Sequence, residues 1–252
     1  VVVERMGAER VRYRLLETSR QFAEQKLNAA GEGEAERRRH LEYFVAWAAA
    51  REPLAVGPQR GQWLADMGWE HQNVLAALEW CDGATGAAEQ ALRLVAAVWR
   101  YWPTRGLSAL GRERLTQALK GQGAEAPTPA RARALSGAGR LALRQGALAE
   151  ALALLDESLS LYRRFGDRRG MARVLNNLGL VCSQQGDHDR AREHFEESLA
   201  LAREAADRRG ASMCLNNLAE LSRERGDFNA ARPLFEEALA EGRAVVLVGL
   251  EQ

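Results

Sequence analysis

The sequence predicts an all-α fold, an α-solenoid of antiparallel helix pairs stacked side by side. Three observations carry that expectation. Gly106, Gly146, Gly186 and Gly226 recur every 40 residues. Apolar columns recur with them: Val95, Leu135, Leu175 and Leu215; Leu119, Leu159, Leu199 and Leu239; and Leu115, Leu155, Phe195 and Phe235. The third is near identity between LNNLGLVCSQQGDHDRAREHFEESLA (175–200) and LNNLAELSRERGDFNAARPLFEEALA (215–240). A fixed period of this size marks a stacked array, a fold that offers an extended binding surface and rarely carries a catalytic centre.

Taken in order, the chain divides into residues 1–29, 30–84 and 85–252. The opening VVVERMGAERVRYRLLE predicts two strands, Val1–Val3 and Val11–Leu15, around a turn at Met6-Gly7-Ala8. A lone hairpin is marginal in water, so 1–29 is expected to be the wing and last helix of a winged-helix domain whose front lies elsewhere. Residues 30–84 read as a helical connector. The array itself spans copies at about 91–130, 131–170, 171–210 and 211–250. Within each, apolar residues recur at three- and four-residue steps on both sides of the glycine, as in two amphipathic helices. The glycine closes the first helix in the left-handed conformation. Asp187 and Asp227 follow, where a carboxylate caps the free N–H groups of the second. After Glu241 the frame dissolves into GRAVVLVGLEQ with no polar capping helix, so this end is expected to continue or to lie against a partner.

Small residues pair 12 positions apart: Gly139 with Ala151, Gly179 with Ala191 and Ala219 with Ala231. The first copy has Trp99 opposite Gly111, which reads as volume compensation. In these residues the chain resembles the tetratricopeptide repeat (TPR) family over roughly 85–242. The family's usual unit is 34 residues. The extra length is assigned to the linker, where Phe165-Gly166-Asp167-Arg168-Arg169-Gly170 is echoed by Ala205-Ala206-Asp207-Arg208-Arg209-Gly210, as in the branch resembling kinesin light chains.

Upstream, Leu15-Leu16-Glu17-Thr18, Arg37-Arg38-Arg39-His40 and Tyr43-Phe44 are followed by Trp63-Leu64 and Glu70-His71-Gln72-Asn73. This order resembles the junction between winged helix and helical sensor in bacterial STAND-type regulators (signal-transduction ATPases with numerous domains). The resemblance implies attached or separate nucleotide-binding and DNA-binding domains. It does not imply that this chain binds nucleotide. No G-x-x-x-x-G-K-[ST] is present, and Gly83-Ala84-Thr85-Gly86 lacks the lysine that would reach phosphates. No cofactor is expected, nor direct nucleic-acid binding.

Composition agrees with a globular protein: 252 residues, 46% apolar, 27% charged, net charge +1. That balance favours neither nucleic acid nor acidic membranes, and no stretch approaches the ~20 apolar residues that cross a bilayer. No signal segment opens the chain. Cys81, Cys182 and Cys214 lack metal-ligand spacing and suit a reducing cytoplasm. Lys26 and Lys120 are the only lysines, and the arginine and alanine bias suggests a GC-rich bacterial genome.

Catalysis is not expected. Asp187, His188, Asp189 and His194 look metal-like but fit surface and capping roles, and the Glu196-Glu197 and Glu236-Glu237 pairs recur as solvated faces. No Ser or Cys has a His partner at recognisable spacing. The six tryptophans, Trp47, Trp63, Trp69, Trp80, Trp99 and Trp102, precede the well-formed copies and are expected to join the connector to the array or to form a docking face.

The candidate ligand groove is the concave face of the first helices. The family resemblance puts Asn176, Asn177, Asn216 and Asn217 there, with Arg133, Arg140 and Arg173 for a carboxylate and Leu180 and Met213 for apolar contact. The alternative for the asparagines is hydrogen bonding between repeats. The expected function is a non-catalytic protein- or effector-binding module of a cytoplasmic regulator. The alternative is a free-standing TPR adaptor.

Overall fold

A computed structural model describes residues 2–6 and 10–248, with side-chain surroundings for 15–243. β1 (Val2–Met6) and β2 (Arg10–Arg14) pair antiparallel, Glu4 opposite Arg12. Of the expected turn, Gly7 and Ala8 lie outside the described residues, as does Val1. The helix that follows, α1 (Glu17–Ala29), buries none of its residues. The described residues include no packed helical body for this hairpin to rest on.

The rest is an all-helical TPR-like solenoid. The connector comprises α2 (Gly33–Arg51), a single 3₁₀ turn (Glu52–Ala55) and α3 (Arg60–Cys81). The first copy is broken into α4 (Ala88–Val98), α5 (Tyr101–Thr104) and α6 (Ser108–Lys120). Three regular pairs follow: α7 (Pro129–Arg144) with α8 (Leu148–Phe165), α9 (Arg168–Gln184) with α10 (His188–Glu204), and α11 (Arg208–Glu224) with α12 (Phe228–Val248). The helix runs past Glu241, where the sequence predicts that the repeat frame dissolves.

The turns follow from the period. Gly106, Gly146, Gly186 and Gly226 all adopt positive φ, between 74° and 81°. After Gly186 the Asp187 N–H returns to the Cys182 carbonyl at 2.9 Å, closing the helix C-terminus. The Asp187 carboxylate then accepts from the Arg190 N–H at 3.1 Å, opening α10. Asp227 does the same for Ala230.

The segments expected to be linkers are not linkers. Only Gly166-Asp167 separates α8 from α9, and Arg168, Arg169 and Gly170 form the first turn of α9. Asp167 and Asp207 are N-caps, accepting from Gly170 and Gly210. The surplus over a 34-residue unit therefore goes into helix length, at 16–18 residues for α7 through α11.

Close packing explains the small residues. A Cβ on Gly179 would lie 2.5 Å from the Phe195 ring, and one on Gly139 would lie 2.7 Å from Leu155 Cγ. In the first copy it is Trp102, not Trp99, that faces Gly111, at 3.0 Å from where a Cβ would stand. Trp99 lies instead over Gly137 of the next copy, because the break at residues 99–100 turns the chain before the frame's small-residue position is reached.

Buried serines add a periodic tie. Ser158 donates to the Ala132 carbonyl at 2.7 Å and Ser198 to the Ala172 carbonyl at 2.6 Å, each from second helix to first. In the last pair the partners exchange places: Ser212 on the first helix donates to the Ala238 carbonyl at 2.8 Å.

One apolar cluster runs from Leu41 to Leu141, with Trp63 and Trp102 fully buried and Trp47, Trp80 and Trp99 packed against it. Connector and array thus share a core, and Trp69 stands exposed outside it. At the far end the column changes character. Leu159 and Leu199 are buried, whereas Leu239 is 55% exposed, since among the described residues no helix follows α12.

Candidate ligand groove

The first helices α7, α9 and α11 line one side of the array and leave two adjoining hollows of about 500 and 680 Å3. Arg140, Asn176 and Met213 border both. Arg173 and Asn177 line the first, and Leu180, Asn216 and Asn217 the second. Eight of the nine candidate residues are therefore gathered in one groove. Arg133 is the exception, its guanidinium being engaged by the Glu52 carboxylate of the connector.

The asparagines form a ladder between repeats. Arg140 Nη1 donates to Asn177 Oδ1 at 2.6 Å, and Asn217 Nδ2 donates to Asn176 Oδ1 at 2.8 Å. Asn176 and Asn177 are buried, so these bonds satisfy groups that would otherwise be costly. Of the alternatives open in the sequence, hydrogen bonding between repeats is what these three do. Asn216 differs. It is exposed, and its amide is uncommitted among the described residues.

The charge in the first hollow exceeds what the sequence predicts. Arg60, Arg100, Arg140, Arg144, Arg173 and Arg209 line it against a single carboxylate, Asp207. Asp207 is already spent as the cap of α11. Among the described residues none of the six arginines has a carboxylate within ion-pair distance. Burial pushes the Arg100 guanidinium down to about 10, with Arg173 pushing the same way and Glu52 opposing. Burial, then the neighbouring Arg144, lowers Arg140 as well. Desolvated like charges of this kind are relieved by an anion.

Arg100 was legible, since it shares the repeat column of Arg140, and Arg144 lies one turn beyond it. The connector's contribution was not, because Ala55, Val56 and Arg60 reach the groove from outside the repeat. Arg100 stacks on Trp99, 4.8 Å from ring centroid to guanidinium, and Pro103 and Thr104 complete that wall.

Carboxylates of the metal-like and paired sets are held in ion pairs. Asp189 pairs with Arg225 at 2.5 Å, and that hydrogen bond holds its carboxyl below the usual range. Among the described residues no group of three His, Cys, Asp or Glu side chains is placed to hold a metal. Glu197 and Glu237 pair with Arg163 and Arg203 of the preceding copies. Burial raises all three thiols, Cys81 to about 12. No helix among the described residues is long and apolar enough to cross a membrane.

A family model described as tetratricopeptide repeat matches residues 130–204 and again 170–240. No curated protein matches the sequence. Among solved structures, BtubC (BKLC) from P. vanneervenii is 19% identical, with TM-score 0.61 over 83% of this chain and 89% of that one. PilF of Pseudomonas aeruginosa is 21% identical, with TM-score 0.55 over 85% of this chain and 90% of its own. MamA is 17% identical, with TM-score 0.52 over 71% of this chain and 94% of that one. At such identities the likeness is one of fold, and it extends over the connector as well as the matched copies. The matched copies, residues 130–240, are similar to tetratricopeptide repeats and lie within a longer TPR-like solenoid.

Proposed function

We propose that the chain is a non-catalytic binding module whose groove takes an extended, acidic segment of a protein partner. The TPR fold itself implies a protein-interaction or scaffold role. What favours an acidic segment is the row of arginines without carboxylate partners in the first hollow. Guanidinium forks bind carboxylates in bidentate fashion, and Asn216 offers both donor and acceptor to a peptide backbone. Met213, Val56 and Trp99 supply the apolar contacts between them.

A photo-crosslinking residue at Asn216, inside the groove, and another at Glu196, on a second helix, test this in cells. The expected result is a protein adduct from position 216 only, lost on Arg173→Glu. An adduct with nucleic acid, or equal yields from both positions, would refute the reading.

The wider setting we infer is a bacterial STAND-type regulator, with 1–29 as the tail of a winged helix, 30–84 as connector and 85–252 as sensor. The support is the order of LLET, RRRH and the aromatic pair ahead of the array. Ligand binding would then shift the balance between closed and open arrangements of attached domains. A stand-alone adaptor is the second reading, favoured by the apolar cluster that packs the connector against the start of the array. The coding frame upstream of Val1 separates them. A phosphate-binding loop there supports the regulator, and a stop codon supports the adaptor.

A further inference from the structure

Arg133 and Arg173 stand 40 residues apart in one repeat column, yet their surroundings differ. Arg173 is exposed in the groove with no carboxylate among the described residues. Arg133 is held by Glu52, which is itself only 23% exposed. Glu52 opens the 3₁₀ turn that ends in Ala55, and Ala55 and Val56 form part of the groove wall. The same carboxylate also acts favourably on Arg100 across the hollow. A carboxylate from outside the repeats thus neutralises Arg133, while its column-mate Arg173 stays open to the groove.

We propose that Glu52 is an internal occupant of the groove's basic column, and that a bound acidic segment takes Arg133 from it, freeing the Glu52–Ala55 turn from the array. The proposal rests on the reading of the groove as a site for an acidic segment. It adds a fourth contact to Arg100, Arg140 and Arg173 and gives binding a mechanical output at the connector. The exchange swaps one ion pair for another, so it costs little and is driven by local concentration of negative charge. Added salt weakens it.

Fluorescein-labelled octaglutamate, followed by anisotropy at low ionic strength, is the probe, with amide exchange at residues 52–56 as the second readout. Glu52→Gln is expected to bind about fivefold tighter, the gain from removing a partly exposed competing pair. In an Arg133→Gln background the same change is expected to have no effect, since the competition is then absent. Exchange at 52–56 is expected to speed up when octaglutamate binds wild type, and to be fast without peptide in Glu52→Gln. Binding that is lost in Arg140→Glu but indifferent to Glu52→Gln overturns the exchange and leaves the groove reading standing. Failure of every form to bind octaglutamate overturns both.

Discussion

Asn217 donates its amide hydrogen to the side-chain carbonyl of Asn176 at 2.8 Å, tying α11 to α9 along the floor of the groove. The tie lies across a repeat boundary, joining successive first helices. Asn177 and Arg140 make the equivalent tie one copy earlier.

Asn176→Ala removes a buried acceptor and leaves the Asn217 amide without its partner. The loss is about 1–3 kcal/mol, larger than the ~0.7 kcal/mol at most that alanine returns through helix propensity. A lower denaturant midpoint is expected. Asn216→Ala, exposed on the same helix face, should stay within about 0.5 kcal/mol. Equal losses at both positions would contradict the ladder.

Acid should destabilise the connector. Trp102 is fully buried and its indole N–H donates to His71 Nε2 at 3.0 Å, which requires a neutral imidazole. Burial holds the His71 pKa below its ordinary 6.5. Below pH 6.5 the unfolded chain therefore binds a proton that the native state refuses. Stability is full above about pH 6.5, falls as pH drops from there towards the lower folded value, and levels off beyond it. His40, lowered mainly by burial, adds to the same limb. Thermal midpoints between pH 7.5 and 5 should decline in wild type and decline less in His71→Gln. A midpoint that rises on acidification would contradict the assignment.

Gly179→Ala should cost about 1–3 kcal/mol, because the new methyl group meets the Phe195 ring in a filled core. Phe195 is 1% exposed and has no room to retreat. The check is a urea titration of the variant beside Gly179→Ala with Phe195→Leu, which should recover part of the loss. No recovery would place the strain elsewhere.

These positions show which layer of the fold the sequence exposes. The turn glycines, the caps at Asp187 and Asp227 and the apolar columns are periodic, so every copy reports on the others. The expectation that the asparagines, Arg140 and Arg173 share a groove came from the family resemblance rather than from the period itself. What lay hidden was aperiodic or distant. Trp102 takes the place opposite Gly111 that the frame gives to Trp99, because the first copy is broken between α4 and α5. Glu52 reaches Arg133 across 81 residues of sequence, and no local pattern marks such a contact. The serine ties were legible in principle, Ser158 and Ser198 being 40 residues apart, but a lone hydroxyl on a helix face usually signals solvent.

Ala206 offers a test of stored backbone strain. It occupies the left-handed position at φ 51°, where the preceding copy has Gly166 at φ 67°. A left-handed non-glycine residue costs about 1–2 kcal/mol, and glycine returns roughly 0.5–1 of that as unfolded-state entropy. Ala206→Gly is therefore expected to stabilise by up to about 1 kcal/mol, seen as a higher melting temperature. Destabilisation would mean that the Ala206 methyl makes a packing contact of its own.

The reversal of Ser and Ala between the last pair and its predecessors fixes the unit in which this array can be duplicated or recombined. A crossover that falls between pairs, at Gly166 or Ala206, carries each hydroxyl together with the carbonyl it serves. A crossover inside a pair, at Gly186 or Gly226, joins a helix bearing Ser198 to one bearing Ser212, or Ala172 to Ala238, leaving two hydroxyls in one seam or none. The boundaries of inheritance therefore lie 20 residues away from the glycines that make the repeat visible.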